Sequence, residues 1–391
     1  MKKGWVYKKI GEVCKTYAGG TPLKTCKEYY DGGTIPWLRS GEVCRKYIDS
    51  TELFITQKGM DNSSAKYYPV NTIVVAMYGA TAAQVGILKI ESTSNQAVCG
   101  ILPNDRFVSE FLFYWFTHIK DFLASQAQGG AQPNISQVKI KNLTVPIPPL
   151  SEQKEIVEYL DSSFAKIDKV KANAAKNLEE AKALFQSALK DALEPKEGWE
   201  EKTLGDVGTF KRGGNFSKKD FIENGFPCIH YGQIHTKFGI ETFKHLSSVP
   251  VEMVKPDRCA QKGDLVIAIT SEDDAGSCKC TAWMGDYDAY VGGHAAIYRH
   301  SMEPKFVSFY FLSPYFQKAK LEYTHGFKVV EISPKDIAKI PISVPSFSEQ
   351  QSIVSFLDSL NEKVNTLQQN YSHICDECDA LKQAILRQVF E

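Results

Sequence analysis

Apolar residues recur every three or four positions over two long stretches of the chain, residues 151–195 and 348–391. Such steps follow one face of an α-helix, and a repeat sustained over many turns is typical of a coiled-coil seam. Pro148 and Pro149 precede the first stretch and Pro195 ends it, and none of them can continue a helix. The pattern therefore predicts two helices of roughly 60 Å each at 1.5 Å per residue. The positions expected to pack against the partner helix are Ile156, Leu160, Phe164, Ile167, Leu178, Ile353, Leu357, Leu360, Val364, Leu367 and Leu381.

The second stretch repeats the first at a constant offset. Ser-Glu-Gln at 151–153 recurs at 348–350, an offset of 348 − 151 = 197, and Leu-Asp-Ser at 160–162 recurs at 357–359 with the same offset. A long internal repeat is a stronger guide to architecture than any local pattern. The sequence predicts an α+β protein with two tandem homologous α/β domains, each followed by a long helix. Relating the repeats by a pseudo-twofold axis would make the two helices an antiparallel coiled coil. The predicted boundaries are 1–150 for domain 1, 151–195 for the central helix, 196–347 for domain 2 and 348–391 for the C-terminal helix.

The two domains share a skeleton of matching segments but differ in the loops between them. Segments rich in β-branched residues predict buried central strands, and aromatic-rich segments predict core helices. The matching pairs are 35–41 with 226–232 (a strand running into a polar loop), 71–79 with 263–270 (a central strand) and 107–116 with 306–316 (a helix). Diverged loops on a repeated scaffold favour a recognition function, because loops carry specificity and scaffolds carry stability.

Composition indicates a globular protein of two or three domains. The chain has 391 residues, 43% hydrophobic and 24% charged. No apolar run approaches a membrane span, and the first residues do not form a signal peptide, so we expect a cytoplasmic protein without membrane association. The ten cysteines are then expected to be reduced thiols. The close pairs Cys375–Cys378 and Cys278–Cys280 lack a second ligand pair, so no metal site is predicted.

The net charge of zero conceals an uneven distribution. Domain 1 carries 17 Lys and Arg against 11 Asp and Glu, a balance of +6, while domain 2 carries 19 against 19. The central and C-terminal helices carry 7 against 9 and 3 against 7. A basic domain permits DNA binding without specifying it, and a mixed solvated surface stays open for domain 2.

Motifs for catalysis are missing from the sequence. Methylation of adenine would need an Asn- or Asp-Pro-Pro-aromatic loop, but Pro148-Pro149 stands between Ile147 and Leu150. No G-x-x-x-x-G-K-[ST] loop is present to bind a nucleoside triphosphate. Spacing alone also suggests no nucleophile–base arrangement or carboxylate pair. The sequence therefore predicts a chain with no catalytic residues.

Two variable domains alternating with two repeated helices resemble the specificity subunit of type I restriction–modification enzymes. The resemblance covers essentially the whole chain. The helix entries Pro-Pro-Leu-Ser-Glu-Gln at 148–153 and Pro-Ser-Phe-Ser-Glu-Gln at 345–350 are its most specific feature. Ser346 replaces the second proline in the later copy, which is a minor departure.

The resemblance implies that each domain reads one half of a split, asymmetric double-stranded DNA site, and that the two helices set the distance between the halves. It further implies two modification subunits as partners, which carry S-adenosylmethionine and the adenine-methylating site. A restriction subunit that uses ATP and Mg²⁺ is an additional expected partner. No cofactor is expected in this chain itself.

Candidate DNA contacts come from the loops between matching segments. Arg, Gln and Asn side chains can bond to base edges, whereas Lys and backbone amides mainly hold phosphates. In domain 1 the candidates are Gly19, Gly20, Thr21, Arg39, Ser40, Tyr78, Gly79, Gln132 and Asn134. In domain 2 they are Lys211, Arg212, Gly213, Gly214, His230, Tyr231, Gln233, Thr270, Ser271 and Lys328. Each glycine doublet could equally be a plain hairpin turn.

Two other functions stay open on the sequence alone. The chain could be a coiled-coil adaptor whose domains bind proteins and have no DNA specificity. It could also be an enzyme whose active site has no recognisable motif. Neither alternative explains a duplicated skeleton with diverged loops as directly as the reading of two DNA half-sites.

Overall fold

The computed structural model describes Lys2 and residues 4–126, 134–274, 276–324 and 330–391. By their internal contacts the residues form two compact units. Unit 1 comprises Met1–Ala174 and Ser372–Glu391, and unit 2 comprises Ala175–Tyr371. Each unit thus contains one globular domain together with parts of both long helices.

The long helix expected after each domain is confirmed. The central helix spans Leu150–Ala192 and the C-terminal helix spans Phe347–Phe390, 43 and 44 residues. In unit 1 the ammonium of Lys382 lies 2.5 Å from Asp168, and that of Lys171 lies 2.9 Å from Asp379. Because the residue number rises along one helix as it falls along the other, the two helices run antiparallel in this unit.

The long helices complete the core of each unit. In unit 1, Leu160 of the central helix shares a buried cluster with Leu386 and Phe390 of the C-terminal helix. In unit 2, Phe185 of the central helix lies in a cluster with Leu357 of the C-terminal helix. Nine of the predicted seam residues are buried or partly buried: Ile156, Leu160, Phe164, Ile167, Leu178, Ile353, Leu357, Leu360 and Val364.

Leu367 and Leu381 do not fit the predicted seam, because they are 38% and 51% exposed. Near the C-terminus the stripe takes two steps of four, from the buried Cys378 through the partly buried Lys382 to the buried Leu386. The Lys382 ammonium lies 5.3 Å from the centre of the Phe164 ring. Lys382 therefore packs against the central helix at the place where the sequence pattern predicts Leu381. Leu367 belongs to a run of exposed residues, 365–370, in the same helix.

Domain 1 is built on a five-stranded and a three-stranded sheet. The central strand predicted from the β-branched run is confirmed as Ile73–Ala76, all four residues of which are buried. The five-stranded sheet has the order Thr16–Ala18, Val98–Ile101, Ile73–Ala76, Val85–Leu88 and Tyr47–Ile48. The three-stranded sheet has the order Phe54–Ile55, Ile35–Leu38 and Thr93–Ser94. Val6–Lys9 pairs with Thr144–Ile147, which leads into the central helix.

Domain 2 repeats this arrangement with one additional strand in the smaller sheet. The larger sheet has the order Gly208–Arg212, Ala295–His300, Leu265–Ala268, Cys280–Trp283 and Glu241–Thr242. The smaller sheet has the order Ser247–Val249, Phe226–Ile229, Ala289–Val291 and Cys259–Ala260. The short strands Thr270–Ser271 and Val330–Glu331 pair with each other, as do Glu200–Thr203 and Pro341–Val344.

One predicted helix is divided in the structure. The segment 306–316 contains two helices, Pro304–Leu312 and Pro314–Ala319. Pro314 has no N–H to continue the first helix, and the hydroxyl of Ser313 accepts a hydrogen bond from Phe316 N at the start of the second. The other short α-helices are Ile10–Val13, Gln57–Asp61, Ser109–His118, Lys120–Ser125, Gln137–Asn142, Tyr231–Thr236 and Pro334–Ile337.

A buried glutamine joins each domain to the start of its long helix. The Gln153 amide donates to the carbonyls of Arg106 (2.8 Å) and Pro148 (2.9 Å), and its oxygen accepts from Val108 N at 2.9 Å. Gln350, 197 positions later, uses its amide oxygen in the same way, accepting from Glu303 N at 2.9 Å. Both glutamines are buried, so all of these bonds are shielded from water.

A repeated aspartate on each long helix forms a second attachment. Asp161 accepts hydrogen bonds from the Lys46 ammonium and from the Tyr114 hydroxyl. Asp358, 197 positions later, lies 2.5 Å from the Lys305 ammonium. Lys46 belongs to the loop before a strand, whereas Lys305 lies in a helix, so different elements supply the cation in the two domains.

We expect acid to destabilise unit 2 through His300. Both ring nitrogens are buried, and burial lowers the pKa of His300 from 6.5 to about 4, although the carboxylate of Asp264 opposes the shift. Between these pH values the unfolded chain binds a proton that the folded chain does not. The free energy of unfolding should therefore fall by about 3 kcal/mol as the pH drops from 6.5 to 4. Urea unfolding of wild type and of His300→Phe measures this share of the pH dependence, with the exposed His373→Phe as control. Equal pH slopes for all three proteins would contradict the expectation.

All ten cysteines are free thiols. None of the helices in the described ranges combines the length and apolar character needed to cross a bilayer. Among the same residues no group of three or more His, Cys, Asp and Glu side chains is arranged to hold a metal ion.

Candidate nucleic-acid interface

The glycine doublet of domain 1 packs against the chain's own backbone. Gly19 N donates to Val98 O at 3.1 Å, and Gly20 N donates to Ser94 O at 2.8 Å. A Cβ atom on Gly19 would lie 2.2 Å from Asn95 O, which is far inside contact distance. Glycine is therefore required here for an internal close approach. The prediction that these glycines also contact DNA stays a prediction.

The doublet of domain 2 makes the equivalent bonds. Gly213 N donates to Ala295 O at 2.9 Å, and Gly214 N donates to Val291 O at 2.7 Å. A Cβ atom on Gly213 would lie 2.2 Å from Gly292 O. In each domain the glycines thus hold two loops side by side, namely the loop that follows the doublet and the loop at 95–97 or 292–294.

The end of a buried strand brings a third segment to the same place. Leu38 O accepts from Asn95 N at 2.9 Å in domain 1, and Ile229 O accepts from Gly292 N at 3.0 Å in domain 2. The residues that follow these strands are the predicted contacts Arg39 and His230. Three chain segments therefore enclose one polar cleft in each domain, and we call these cleft 1 and cleft 2.

Cleft 1 consists of two adjoining hollows of about 730 and 310 Å³ that share Arg39 and Asn95. It contains the predicted residues Thr21, Arg39 and Ser40. Its further lining residues are Lys24, Tyr30, Trp37, Gly41, Glu42, Cys44, Arg45, Ser50, Thr51, Glu52, Leu53, Asn95 and Gln96.

Charges of both signs line cleft 1. The guanidinium of Arg39 forms ion pairs with Glu52 and, at 3.6 Å, with Glu42, while its side chain stays 44% exposed. The hydroxyl of Thr21 donates to the side-chain oxygen of Gln96, which ties the doublet loop to the opposite loop. Arg39 is thus a guanidinium held in an open cleft by carboxylates that a DNA base could replace.

Cleft 2 has about 680 Å³ and contains the predicted residues Arg212, Gly213, Gly214, His230 and Tyr231. Its further lining residues are Asn215, Phe216, Ser217, Lys218, Arg258, Gly293 and His294. Among the described residues that line it, three side chains are cationic and none is acidic. The domain's charges balance overall, but those at the cleft do not, and a cationic hollow suits an anionic partner such as DNA.

The arginines of cleft 2 are fixed by backbone carbonyls. Arg212 Nε donates to Gly293 O and Arg258 donates to Gly213 O, both at 2.8 Å. Arg212 also lies 3.0 Å from Glu331. These bonds hold both guanidinium groups at the rim of cleft 2. Glu331 offsets the charge of Arg212, whereas the bond of Arg258 is to a neutral carbonyl.

His230 is buried, with Phe216, Phe221 and Tyr231 around its ring at centroid distances of 4.6–6.3 Å. Its Nδ1 accepts a hydrogen bond from Gly232 N at 3.1 Å. Burial, with the nearby charges of Lys218 and His294, lowers the pKa of His230. The ring is therefore neutral at physiological pH.

Several predicted contacts lie away from the clefts. Tyr78 forms an isolated bridge with Asn134, and Gly79 follows with φ of +75°. Thr270 and Ser271 pair with the strand Val330–Glu331 at the corresponding place in domain 2. These residues form a second matching pair of loops, and the clefts do not include them.

Two predicted DNA contacts have internal partners. The side chain of Gln233 accepts from His230 N (3.0 Å) and donates to Ser247 Oγ (2.8 Å), so both ends of its amide are used. Lys211 is paired with Asp257 at 2.6 Å. Gln132 and Lys328 lie outside the described residues.

Sequence reasoning missed several of the residues that line each cleft. Asn95 and Gln96 in cleft 1, and Lys218, Arg258 and His294 in cleft 2, were not predicted. The internal repeat could have indicated the loops at 95–97 and 292–294. Gly292 follows Asn95 by the same 197 residues that separate the two repeated helix segments.

Comparisons with known proteins agree with this architecture. The family model for the type I restriction modification DNA specificity domain matches twice, at residues 2–180 and 196–374. The EcoKI specificity subunit of Escherichia coli (strain K12) is 24% identical over 100% of this chain and 89% of its own length. The EcoR124I/EcoR124II specificity subunit of Escherichia coli is 31% identical, but the match spans only 41% of each chain.

The fold also matches a solved relative. A chain from a structure of a type I R-M system aligns with a TM-score of 0.78 at 21% identity, covering 100% of this chain and 98% of that one. Because the family model matches both halves, including each globular domain and most of the helix that follows it, the chain belongs to the family of type I restriction–modification DNA specificity domains.

Proposed function

We propose that this chain is the DNA specificity subunit of a type I restriction–modification complex, and that each cleft reads one half of a bipartite, asymmetric DNA site. The observation that carries the proposal is the pair of clefts, which share three backbone segments but differ in their side chains. Arg39 in cleft 1 and His230 in cleft 2 hold equivalent positions. A common frame with different side chains suits two half-sites of different sequence. The long helices act as the ruler between them.

The chain itself performs no chemistry in this proposal. Modification subunits bring S-adenosylmethionine and the adenine-methylating site. A restriction subunit that uses ATP and Mg²⁺ is a further partner. The specificity subunit selects the DNA site, and its partners carry out the reaction.

Exposed apolar residues on the long helices support two copies of the modification subunit. They recur at the offset of 197: Leu150 with Phe347, Tyr159 with Phe356 and Leu184 with Leu381, each 43–63% exposed. In unit 2, Leu184 and Phe356 line one groove of about 550 Å³ between the two helices. Large apolar side chains repeated in this way are typical of a surface that a partner covers. Two equivalent surfaces then bind two copies.

We expect charged substitutions in one of these two surfaces to prevent one modification subunit from binding. Leu184→Glu with Phe356→Glu should lower the number of bound modification subunits from two to one, because a carboxylate in an apolar interface loses its hydration. Tyr159→Glu with Leu381→Glu should have the same effect. Native mass spectrometry of the reconstituted complex counts the copies, and Gln369→Glu at an exposed polar position is the control. Two bound copies in both double variants would contradict the assignment of these surfaces.

The function is tested by mapping methylated adenine across the genome of the native host, with and without this gene. Loss of methylation at one split, asymmetric motif is the expected result, and it identifies both half-sites and their spacing. Unchanged methylation, together with a purified complex that shows no DNA preference, would instead support a helical adaptor protein.

A further inference from the structure

One residue occupies the same place in both clefts, directly after the strand that enters from the smaller sheet. It is Arg39 in domain 1 and His230 in domain 2. The preceding residues pair in parallel with equivalent strands, Leu38 with Ser94 and Ile229 with Val291. We call this the strand-end position.

The backbone at the strand-end position is held in the same way in both domains. Arg39 N donates to the carboxylate of Glu42 at 2.8 Å, and His230 N donates to the side-chain oxygen of Gln233 at 3.0 Å. Each acceptor lies three residues further along the chain. The frame is thus constant, and the side chain that enters the cleft is the part that differs.

The hydrogen-bonding capacity of His230 is fixed by its neighbour. Since Nδ1 accepts from Gly232 N, the neutral ring carries its proton on Nε2. No hydrogen bond to Nε2 is found among the described residues, and Nε2 is not among the fully buried polar atoms without a partner. The Nε2–H of His230 is therefore a positioned donor in cleft 2, and none of the described residues that line this cleft is acidic.

The corresponding donor of cleft 1 is a fork. The two Nη groups of Arg39 form the fork, and Nη2 donates to Glu52 in the free protein, whereas the buried Nε lies 3.6 Å from Glu42 without a hydrogen bond. The major-groove edge of guanine offers two adjacent acceptors that match this fork. A single donor such as His230 Nε2–H needs one acceptor, which a purine N7, guanine O6 or thymine O4 provides, and it cannot bond to the amino group of cytosine.

Resting on the proposed function, we infer that the strand-end position is a specificity-determining residue of each domain. Arg39 reads guanine in one half-site. His230, as a donor only, reads a base with a major-groove acceptor in the other. Glu42 and Gln233 are positioning residues that fix the backbone and do not touch the DNA.

The test uses the full chain assembled with its modification subunits and a randomised double-stranded DNA library, with bound sequences counted. His230→Asn keeps an oxygen that can accept from Gly232 N, while its shorter amide places no N–H donor where Nε2–H lies. Discrimination at one base pair of one half-site should fall about 2- to 12-fold, the value of one neutral hydrogen bond. Arg39→Lys keeps the charge but loses the fork, and discrimination at one base pair of the other half-site should fall about 5- to 150-fold. Each half-site serves as the internal control for the variant in the other domain.

An equal loss of affinity across all sequences, with every preference retained, would overturn the inference and leave these residues as structural or phosphate-binding groups. A wild-type complex that enriches no bipartite motif would overturn the proposed function as well, so the two failures are distinct. Thermal unfolding of each variant checks the fold. Arg39→Lys keeps the inference testable if His230→Asn lowers the unfolding temperature.

Discussion

A chain with seven residues inserted into each long helix is expected to lose its native DNA site and to read one whose halves lie about three base pairs further apart. Seven helical residues add about 10 Å, which is close to three base pairs at 3.4 Å each. Seven residues are also nearly two helical turns, so the faces that pack together keep their direction. Mapping of methylated sites in cells that carry the variant measures the new spacer.

The structure indicates where the insertions belong. The two compact units meet in sequence after Ala174 and after Tyr371. Insertions at these points leave every contact within unit 1 and within unit 2 in place. The same insertion in the central helix alone makes the helices unequal and should abolish methylation at any bipartite site. An unchanged spacer in the double-insertion variant would refute the proposal that the long helices set the distance between the half-sites.

Replacement of Gln153 by leucine is expected to destabilise unit 1 by about 3–5 kcal/mol. The substitution leaves Val108 N and two carbonyls without their partner in a site closed to water. A buried polar group that loses its partner costs about 1–3 kcal/mol. Hydrogen–deuterium exchange should show loss of protection in residues 4–126 while residues 200–324 stay protected.

The repeat supplies a mirrored experiment for this prediction. Gln350→Leu should instead cause loss of protection in unit 2. The side-chain oxygen of Gln350 accepts a hydrogen bond from Glu303 N, as that of Gln153 does from Val108 N. Gln388→Leu, at an exposed position of the C-terminal helix, is the control and should change stability by no more than about 0.5 kcal/mol. Similar exchange in all three variants would show that the buried amides do not fasten the domains.

The large elements could be predicted because their signals are periodic and repeated. The long helices, the central strand Ile73–Ala76 and the matching halves all follow from patterns that extend over many residues. Finer detail depended on contacts that no local pattern records. Steps of three and four allow both Leu381 and Lys382 on the seam, and only the position of the Phe164 ring decides between them.

The candidate site was only partly predictable for the same reason. The polar residues after each strand, including Arg39 and His230, could be selected because they follow an apolar run. Asn95 and Gln96 could not, because hydrogen bonds that span about 75 residues bring their loop to Thr21. Nor could the sequence show that the side chain of Gln233, a predicted contact, bonds to His230 N and Ser247 within its own domain.

The aspartates that fasten the domains have a consequence for the exchange of one domain for another. Asp161 and Asp358 are the same residue of a duplicated helix, yet the lysines that meet them, Lys46 and Lys305, come from different elements of their domains. Both copies of the helix thus present the same carboxylate and the same buried glutamine, Gln153 or Gln350. Under the proposed function, a foreign domain that meets these two groups and the apolar core would fit either helix. The resulting chain would combine two half-sites that the original chain does not.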